Sequence, residues 1–471
     1  MKKDKKYGFK TAILPVGTLL LLIILGLLVF PQVFKIEPVP LEIIFILAGT
    51  VAITQLFYLG FKWEEISESI VSKLAKAMPT LLILLAIGLI IGSWIACGTI
   101  PMLVYYGIKL IHPDFIYLIA FIVPVMFSTF TGTSWGSVGT VGVVIICVAV
   151  SMGANLPITA AAIIGGSFFG DKLSPLSDTT NVAAMAVEIK VLDHIKSMLY
   201  TTIPAALIAI IIYFILGYTH PVANAGVHNP LIATTLNETS QAFNFNLLLL
   251  LPPIIVLIGS IKKFPTLPVL IVSSFTAVIL AFIFQDFGSN TILRSLLTGF
   301  DTAALDFRVS KNVAQLYTRG GMYSLKEPLI ISILVFVFVG AIDKINAMPI
   351  IVNKLFGFVK TSGALVRSVL ISTGITNAMT SNQYAISFIV GDAFKKKFDD
   401  NNIDRKVLSR SLEDTGTIIE SLVPWHQSAI FMASTLGVAT ADYWFWQFFS
   451  LGNIAIAFIY TFIGFAIFKR A

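Results

Sequence analysis

Long apolar blocks separated by short polar stretches dominate the pattern of hydrophobic and polar positions along this chain. Each block is about 20 residues long, which lets a helix cross a hydrocarbon core of ~30 Å. The blocks lack the apolar–polar alternation of transmembrane barrel strands. The pattern therefore predicts an all-α polytopic membrane protein with roughly 10–13 transmembrane segments, and an interfacial helix at the polar stretch Phe61–Ala77. The clearest blocks are Thr11–Phe30, Leu41–Gly60, Pro79–Cys97 and Met198–Gly217.

Composition supports the bilayer as the solvent of this chain. Of its 471 residues, 56% are hydrophobic and only 12% are charged, whereas soluble globular proteins carry about 25% charged residues. The net charge of +7 does not indicate a nucleic-acid partner, because Lys and Arg concentrate at the chain ends and in short loops. Such residues stay on the cytoplasmic side. We expect a multi-pass protein of the cell membrane with both termini in the cytoplasm and a first apolar block that is retained as a helix.

One long polar stretch divides the chain into two halves. No Lys or Arg occurs between Lys196 and Lys262, and this gap contains Tyr218–Phe243, a segment rich in Asn, Thr and His. The lack of basic residues predicts an extracytoplasmic loop. The expected organisation is a first transmembrane half over 1–217, a connecting loop over 218–243 and a second transmembrane half over 244–471.

Each half contains the same order of polar interruptions. An early break falls at Ser128–Gly136 in the first half and at Asn377–Tyr384 in the second. A later break, acidic and containing Pro, falls at Gly170–Asn181 and at Leu412–His426. Paired interruptions are typical of inverted-repeat transporters, in which broken helices surround the binding site, although polytopic proteins also carry unrelated polar breaks. Aligning the breaks pairs Thr131 with Thr380, Trp135 with Tyr384, and Asp171 with Asp414.

The first acidic break carries the strongest candidate chemistry. A carboxylate at membrane depth costs at least ~2.5 kcal/mol unless a cation, a proton or a partner compensates it. Pro175 interrupts regular helix and frees carbonyl oxygens. A hard cation such as Na⁺ prefers oxygen ligands, so we expect Asp178, Asp171 and Thr179 to hold Na⁺. The alternative is a solvated turn whose Asp residues cap helices. The other candidate binding residues in this window are Ser174, Ser177, Thr180 and Asn181.

The second acidic break and the two early breaks supply further candidates. The expected ion-binding groups of the second acidic break are Asp414, Thr415 and Thr417. The case for Glu413 and Glu420 is weaker, and His426 has a side chain that titrates near neutral pH, although a lone histidine is more often structural. The early breaks contribute neutral hydroxyl and amide groups, whose alternative role is helix packing. These groups are Thr131, Thr133, Ser134, Asn377, Asn382 and Gln383.

These motifs resemble those of a known family. The run Gly170–Thr180, which reads GDKLSPLSDTT, is similar to the signature of the NhaC family, and Ser411–Thr417 followed by Pro424-Trp425 is similar to its second signature. The resemblance covers essentially the whole chain. It implies two inverted repeats, with broken helices and re-entrant hairpins that meet at mid-membrane, and a homodimer. It also implies Na⁺/H⁺ antiport, or Na⁺- and H⁺-coupled exchange of an organic anion such as malate for lactate, and some relatives look like amino-acid transporters.

The expected mechanism is antiport on one buried carboxylate, Asp178 or Asp171, which binds Na⁺ or H⁺ but not both. Asp178 is the first choice because Lys172 lies next to Asp171. The main alternative is a transporter of an organic anion or an amino acid, which His426 favours because the family tends to have Asn there. A channel is a third alternative, although discrete interruptions do not form a continuous polar lining. Neither an enzyme nor a cofactor is expected; the partners are the bilayer and the transported ions.

Overall fold

Helices account for the whole architecture, as the apolar blocks predict. The computed structural model describes residues 7–222, 230–356 and 361–470. Residues 1–6 and 471, which carry part of the basic ends, lie outside this range, as do 223–229 of the expected connecting loop. The described residues form no β-sheet, and eight of their helices are long and apolar enough to cross a membrane, or ten if two bent pairs are counted. The all-α polytopic class is confirmed, with fewer segments than the upper end of the expected range.

The N-terminal helices differ from the prediction at one place. The four helices are α1 (Phe9–Phe34), α2 (Leu41–Tyr58), α3 (Trp63–Ala96) and α4 (Thr99–Leu110). The interfacial helix expected at Phe61–Ala77 is the first half of α3. At the start of this helix the carboxylate of Glu65 accepts a hydrogen bond of 3.0 Å from the backbone N–H of Lys62, and Pro79 is accommodated inside the helix. With no break between its acidic first turns and its apolar part, α3 reaches 34 residues.

The first early break is the tip of a helical hairpin, which we call hairpin 1. Its arms are α5 (Pro113–Thr131) and α6 (Ser134–Met152), and α7 (Leu156–Leu173) packs beside both. In the contacts between α5 and α7, the residue numbers of both helices increase together. In the contacts between α6 and α7, one increases while the other decreases. The two arms of hairpin 1 therefore run in opposite directions. These contacts are Gly166 with Phe121, Gly170 with Ser128, Gly142 with Ile163, and Ser134 with Asp171.

The first acidic break interrupts the helix that follows. α7 ends at Leu173, and α8 (Asp178–Ala186) continues after Ser174–Ser177; we call this pair broken helix 1. The long helix α9 (Val191–Thr219) then crosses the structure. The connection to the second half contains α10 (Pro230–Ala242), so part of the expected connecting loop is helical. The next helices are α11 (Leu247–Ile261), α12 (Thr266–Phe284), α13 (Ser289–Thr298), α14 (Lys311–Tyr317), α15 (Met322–Asp343) and α16 (Ala347–Phe356).

The second half repeats the hairpin and the broken helix. Hairpin 2 consists of α17 (Ser362–Thr380) and α18 (Gln383–Asp400). Broken helix 2 consists of α19 (Arg405–Leu412), extended by a π-helical turn over Glu413–Thr417, and of α20 (Gln427–Leu436). The chain ends with α21 (Thr440–Trp446) and α22 (Phe448–Ile463). The contacts that fix the antiparallel arms of hairpin 2 are Leu370 with Thr415, Gly374 with Ile419, Gln383 with Leu412, and Asp399 with Arg405.

The two hairpins open toward opposite faces. Before α9 begins, Glu188 accepts hydrogen bonds from Lys395 at 2.9 Å and Arg405 at 2.6 Å, at the open end of hairpin 2. These bonds hold the pKa of Glu188 below its usual value. After α9 ends, the carbonyl of His220 accepts a hydrogen bond of 3.2 Å from Tyr117, at the open end of hairpin 1. The halves therefore have inverted topology, and we call the face with Glu188 the basic face.

The hairpins, the broken helices, α9 and α22 pack together, and we call this group the hairpin bundle. A second group, the frame, contains α1–α3, α11, α12 and α15, with α12 and α15 packed against α3. The segment before α15 lies between the groups on the face opposite the basic face: Gly321 donates to the Gly88 carbonyl of α3 at 2.8 Å, and Arg319 donates to the Thr435 carbonyl of α20 at 3.0 Å. This arrangement leaves the boundary between the groups more open on the basic face.

Candidate functional site

A cavity of ≈ 690 Å³ lies between the frame and the hairpin bundle. Both hairpin tips and both breaks of the broken helices contribute to its wall. Lys263 and Thr266, in the turn between α11 and α12, also line it, so the cavity opens toward the basic face. The candidate residues that the structure places in the wall are Thr131, Thr133, Ser134, Asp171, Asp178, Thr179, Asn181, Asn382, Gln383 and His426.

Asp171 joins hairpin 1 to broken helix 1. Its carboxylate accepts hydrogen bonds from the backbone N–H of Ser134 at 3.2 Å, the hydroxyl of Ser134 at 2.7 Å and the hydroxyl of Ser177 at 2.6 Å. The side chain is 7% exposed, and its remaining surface faces the cavity. Since a carboxylate has about four acceptor positions, three donors leave roughly one for a cation.

Asp178 is the more accessible carboxylate of this break. It is the first residue of α8, is exposed to the cavity, and lies close enough to Asp171 to act on it electrostatically. Tyr384, from hairpin 2, lines the same cavity and lies within electrostatic range of Asp178. Thr179 lies beside it, with its hydroxyl 3.0 Å from that of Ser177. Two acidic side chains and neighbouring hydroxyl groups thus face one polar cavity, which suits a cation with oxygen ligands.

The other candidates of the first acidic break hold its backbone in place. Thr180 donates to the carbonyls of Asp171 and Lys172 at 3.2 and 3.0 Å. Asn181 donates to the carbonyls of Pro175 and Ser177 at 2.9 and 2.6 Å. The hydroxyl of buried Ser174 accepts from the backbone of Leu176 at 3.2 Å. These bonds make the break a fixed structure rather than a solvated turn.

Gly132 lets hairpin 1 approach this break closely. Its φ of +71° lies in the left-handed region, and a Cβ atom there would stand 2.7 Å from the backbone carbon of Leu176. A side chain at this position would therefore clash with the backbone of Leu176, and its residue would be in a strained backbone conformation.

We expect Gly132→Ala to reduce both the stability of the protein and its transport rate, because the tip must move away from broken helix 1. The left-handed conformation alone costs about 1–2 kcal/mol for a residue with a Cβ atom. Gly464→Ala is the matched control, since Gly464 has φ +73° but no atom within 4 Å of its Cβ position. Thermal unfolding in detergent should show a larger loss for Gly132→Ala; equal losses would show that the contact with Leu176 is unimportant.

The second acidic break meets the tip of hairpin 2 through Asn377. Its side-chain amide donates to the Gly416 carbonyl at 2.8 Å, and its side-chain oxygen lies 3.0 Å from Nε2 of His426. Gln427 donates to the Ser381 carbonyl at 3.0 Å. The two breaks of the second half are thus tied together as those of the first half are.

His426 is held as a neutral imidazole by this arrangement. Its Nδ1 accepts a hydrogen bond of 3.1 Å from the backbone N–H of Ser428, which caps α20. Nε2 therefore carries the hydrogen and donates to Asn377. A protonated imidazole would lose the bond from Ser428, so the geometry favours a structural role at the cavity wall.

Asp414, Thr415, Thr417 and Asn377 do not line the cavity. Asp414 is 1% exposed and accepts hydrogen bonds from Lys172, from Thr201 at 2.8 Å and from Asn453 at 3.1 Å. Arg410 approaches its other oxygen at 3.6 Å. Asp414 is therefore the centre of a buried ion-pair network within the hairpin bundle. Thr415 donates to the Leu370 carbonyl, and Thr417 to the carboxylate of Glu413.

The contacts made by the two acidic breaks pair their residues differently from the sequence alignment. Gly170 packs against Ser128, and Gly416 accepts from Asn377, the residue that the alignment of Thr131 with Thr380 pairs with Ser128. Gly170 and Gly416 are thus equivalent, which pairs Asp171 with Thr417 and not with Asp414.

Several residues of the cavity wall were not among the main sequence candidates. Glu420 is buried there and accepts from the hydroxyl of Ser428 at 2.6 Å. Trp135 stacks on Phe431, with ring centroids 4.3 Å apart, and donates to Ser428 at 3.3 Å. Tyr384 lies opposite Asp178. The sequence does pair Trp135 with Tyr384 at the two early breaks, and this pairing points to both residues as parts of the hairpin tips.

Inverted repeats whose breaks enclose a polar, acidic cavity open to one face are the architecture of a secondary transporter. A sequence model described as the Na⁺/H⁺ antiporter family matches residues 166–465, more than half of the chain. The chain therefore belongs to the Na⁺/H⁺ antiporter family, and the resemblance to NhaC is confirmed.

Three relatives illustrate its place in the family. The chain is 39% identical over 456 residues to a Haemophilus influenzae protein named as an uncharacterized Na⁺/H⁺ antiporter, covering 97% of this chain and 96% of the relative. It is 33% identical over 443 residues to the Na⁺/H⁺ antiporter NhaC of Bacillus subtilis, covering 94% and 95%. It is 30% identical over 426 residues to the malate-2H⁺/Na⁺-lactate antiporter of Bacillus subtilis, covering 90% of each. All three are named as transporters, in agreement with the expectation that the chain is not an enzyme.

Proposed function

We propose that this protein exchanges Na⁺ for H⁺ across the cell membrane and that Asp178 is the group that binds either ion. The observation that carries the proposal is the pair of carboxylates, Asp171 and Asp178, facing one cavity. Two neighbouring negative charges repel each other, and a bound cation or proton relieves that repulsion. Na⁺ and H⁺ therefore compete for the same pair. Asp171, held by three donors, shapes the site, while Asp178 and Thr179 supply the accessible oxygens.

The orientation follows from charge. The basic face carries Lys263, the Lys395–Lys397 run and Arg405, and such residues favour the cytoplasmic side. In this orientation Arg470, which lies 3.3 Å from Asp399, and the open side of the cavity face the cytoplasm. A cytoplasmic N-terminus stays a prediction. A homodimer, implied by the family resemblance, stays a prediction.

The direct test is a proteoliposome assay with a pH-sensitive dye inside the vesicles. An imposed Na⁺ gradient alone should drive proton movement in the opposite direction, and collapse of the Na⁺ gradient by an ionophore should stop it. Proton movement that needs an added organic solute would contradict simple Na⁺/H⁺ exchange.

A second candidate is exchange of a small organic anion coupled to Na⁺ and H⁺. The observation in its favour is the cavity volume of ≈ 690 Å³, which equals roughly 20 water molecules and exceeds the needs of one Na⁺. The N-termini of α6, α8, α18 and α20 border the cavity, and helix N-termini attract carboxylates. Adding malate, lactate or an amino acid to the same assay should then accelerate Na⁺ movement, whereas simple exchange is unchanged.

A further inference from the structure

The segment between α14 and α15 fits closely against α3 on the face opposite the basic face. The N–H of Gly321 donates to the Gly88 carbonyl at 2.8 Å. A Cβ atom on Gly88 would stand 2.5 Å from the oxygen of Gly321, and one on Gly320 would stand 2.5 Å from the nitrogen of Gly92. Only glycine allows two backbones to approach this closely. We call this contact, which fixes the segment to the frame, the glycine anchor.

Arg319, the residue before the glycine anchor, reaches across the boundary to the hairpin bundle. Its guanidinium donates to the Thr435 carbonyl of α20 at 3.0 Å, and a second nitrogen lies 3.7 Å from the sulfur of Cys147 in α6. Thr435 belongs to the last turn of α20, where the final carbonyls have no partner within the helix and carry the negative end of its dipole. A cation is therefore favourable at this point.

The contact made by Arg319 is easier to break than the buried ion pair of Lys172 and Asp414. Within the described parts of the chain, no carboxylate oxygen lies within 4.0 Å of the Arg319 guanidinium. The side chain is only half-buried, so water can replace the Thr435 carbonyl as its partner. A buried pair that separates leaves an uncompensated charge instead. Arg319 therefore suits a contact that forms and breaks during a transport cycle.

Both sides of this contact are continuous with the cavity. On the hairpin bundle, α20 begins at Gln427 in the cavity wall and ends one residue after Thr435. On the frame, Ile83 of α3 lines the cavity, and Gly88 of the same helix lies at the glycine anchor. Arg319 thus joins the frame to the hairpin bundle on the side of the cavity away from the basic face.

We propose that Arg319 is a latch, which keeps the extracytoplasmic side of the cavity closed while the basic face is open and which releases α20 when the transporter opens outward. A transporter with alternating access exposes its site to one compartment at a time, so the side opposite the opening needs a closure. The glycine anchor holds the latch on the frame, and the bond to Thr435 holds the hairpin bundle against it. The proposal rests on the orientation given in the proposed function and not on its ion chemistry.

The experiment measures access to the cavity from outside intact cells. Ile83→Cys is introduced after both native cysteines are removed by Cys97→Ala and Cys147→Ala, and a membrane-impermeant maleimide is added to the medium. Labelling should be slow in this background, because Ile83 lines a cavity that opens to the cytoplasm. Adding Arg319→Gln should raise the labelling rate roughly 10-fold or more, the factor expected for loss of a hydrogen bond to a charged group.

Two matched pairs of variants separate the latch from general loosening of the structure. Arg294→Gln removes an exposed charge from nearby α13 and should label as slowly as the background, and Arg319→Lys should label more slowly than Arg319→Gln. Gly88→Ala pushes the glycine anchor away from α3 and should also raise the rate, which keeps the proposal testable if Arg319→Gln does not fold. Gly49→Ala is its control, since no atom lies within 4 Å of the Cβ position of Gly49.

Unchanged labelling in folded Arg319→Gln, or an equal rise in Arg294→Gln, would overturn the proposal. Fast labelling already in the background would overturn it together with the orientation. Failure of Na⁺/H⁺ exchange is distinguishable from both, because maleimide labelling requires no ion movement.

Discussion

Asp178→Asn should abolish Na⁺-dependent proton movement while the protein still inserts into the membrane. Asn has the same shape as Asp but neither binds a proton near neutral pH nor carries the charge that attracts Na⁺. Two unit charges 4 Å apart interact by about 4 kcal/mol at an effective dielectric constant of 20, and each 1.4 kcal/mol is a factor of ten. We therefore expect no Na⁺-dependent proton movement in the dye assay even at Na⁺ concentrations roughly 100-fold above the half-saturating value of the wild type.

The matched control is Asp193→Asn, because Asp193 is exposed in the first turn of α9 and does not line the cavity. It should transport like the wild type. Asp171→Asn should also lose exchange, but with a lower unfolding temperature, since it weakens the three bonds that join hairpin 1 to broken helix 1. Undiminished exchange in Asp178→Asn would remove this residue from the mechanism, whatever the family.

Asp414→Asn should destabilise the protein more than Lys172→Met. Removing the carboxylate leaves two buried cations, Lys172 and Arg410, without a counter-charge. Removing Lys172 leaves Asp414 with Arg410 and with the donors Thr201 and Asn453. Breaking a buried pair by removing one partner costs about 3–5 kcal/mol. Thermal unfolding in detergent, followed by tryptophan fluorescence, should rank Asp414→Asn lowest.

Lys395→Met provides the comparison for an exposed pair. Its partner Glu188 is 63% exposed, and such pairs contribute about 0–1 kcal/mol. An Asp414→Asn variant as stable as Lys395→Met would show that the network around Asp414 contributes no more to stability than a surface ion pair does.

The sequence predicts the breaks better than the side chains that face the cavity. Pro175 and clustered hydroxyl residues interrupt an apolar block, and this interruption predicts the acidic break at Asp171 and Asp178. The side chains of this break that face the cavity lie close together in the chain, so their spacing in the sequence is enough to predict that they share one site.

The second acidic break shows the limit of this reasoning. Asp414 and Glu420 are both acidic residues within one polar run, yet one lies in the bundle interior and the other in the cavity wall. The π-helical turn over Glu413–Thr417 inserts an extra residue and changes which face each side chain occupies. Helical spacing alone does not reveal such a turn, because it depends on packing against α17. The same holds for α3, whose length follows from continuous packing against α12 and α15.

The bond from Lys172 to Asp414 crosses between the two repeats and joins α7 to the π-helical turn that follows α19, and Asn453 extends the connection to α22. These buried hydrogen bonds hold broken helix 1, broken helix 2 and α22 together as one rigid group. The two broken helices therefore keep their relative position, because separating them would leave Lys172 buried without its counter-charge, Asp414.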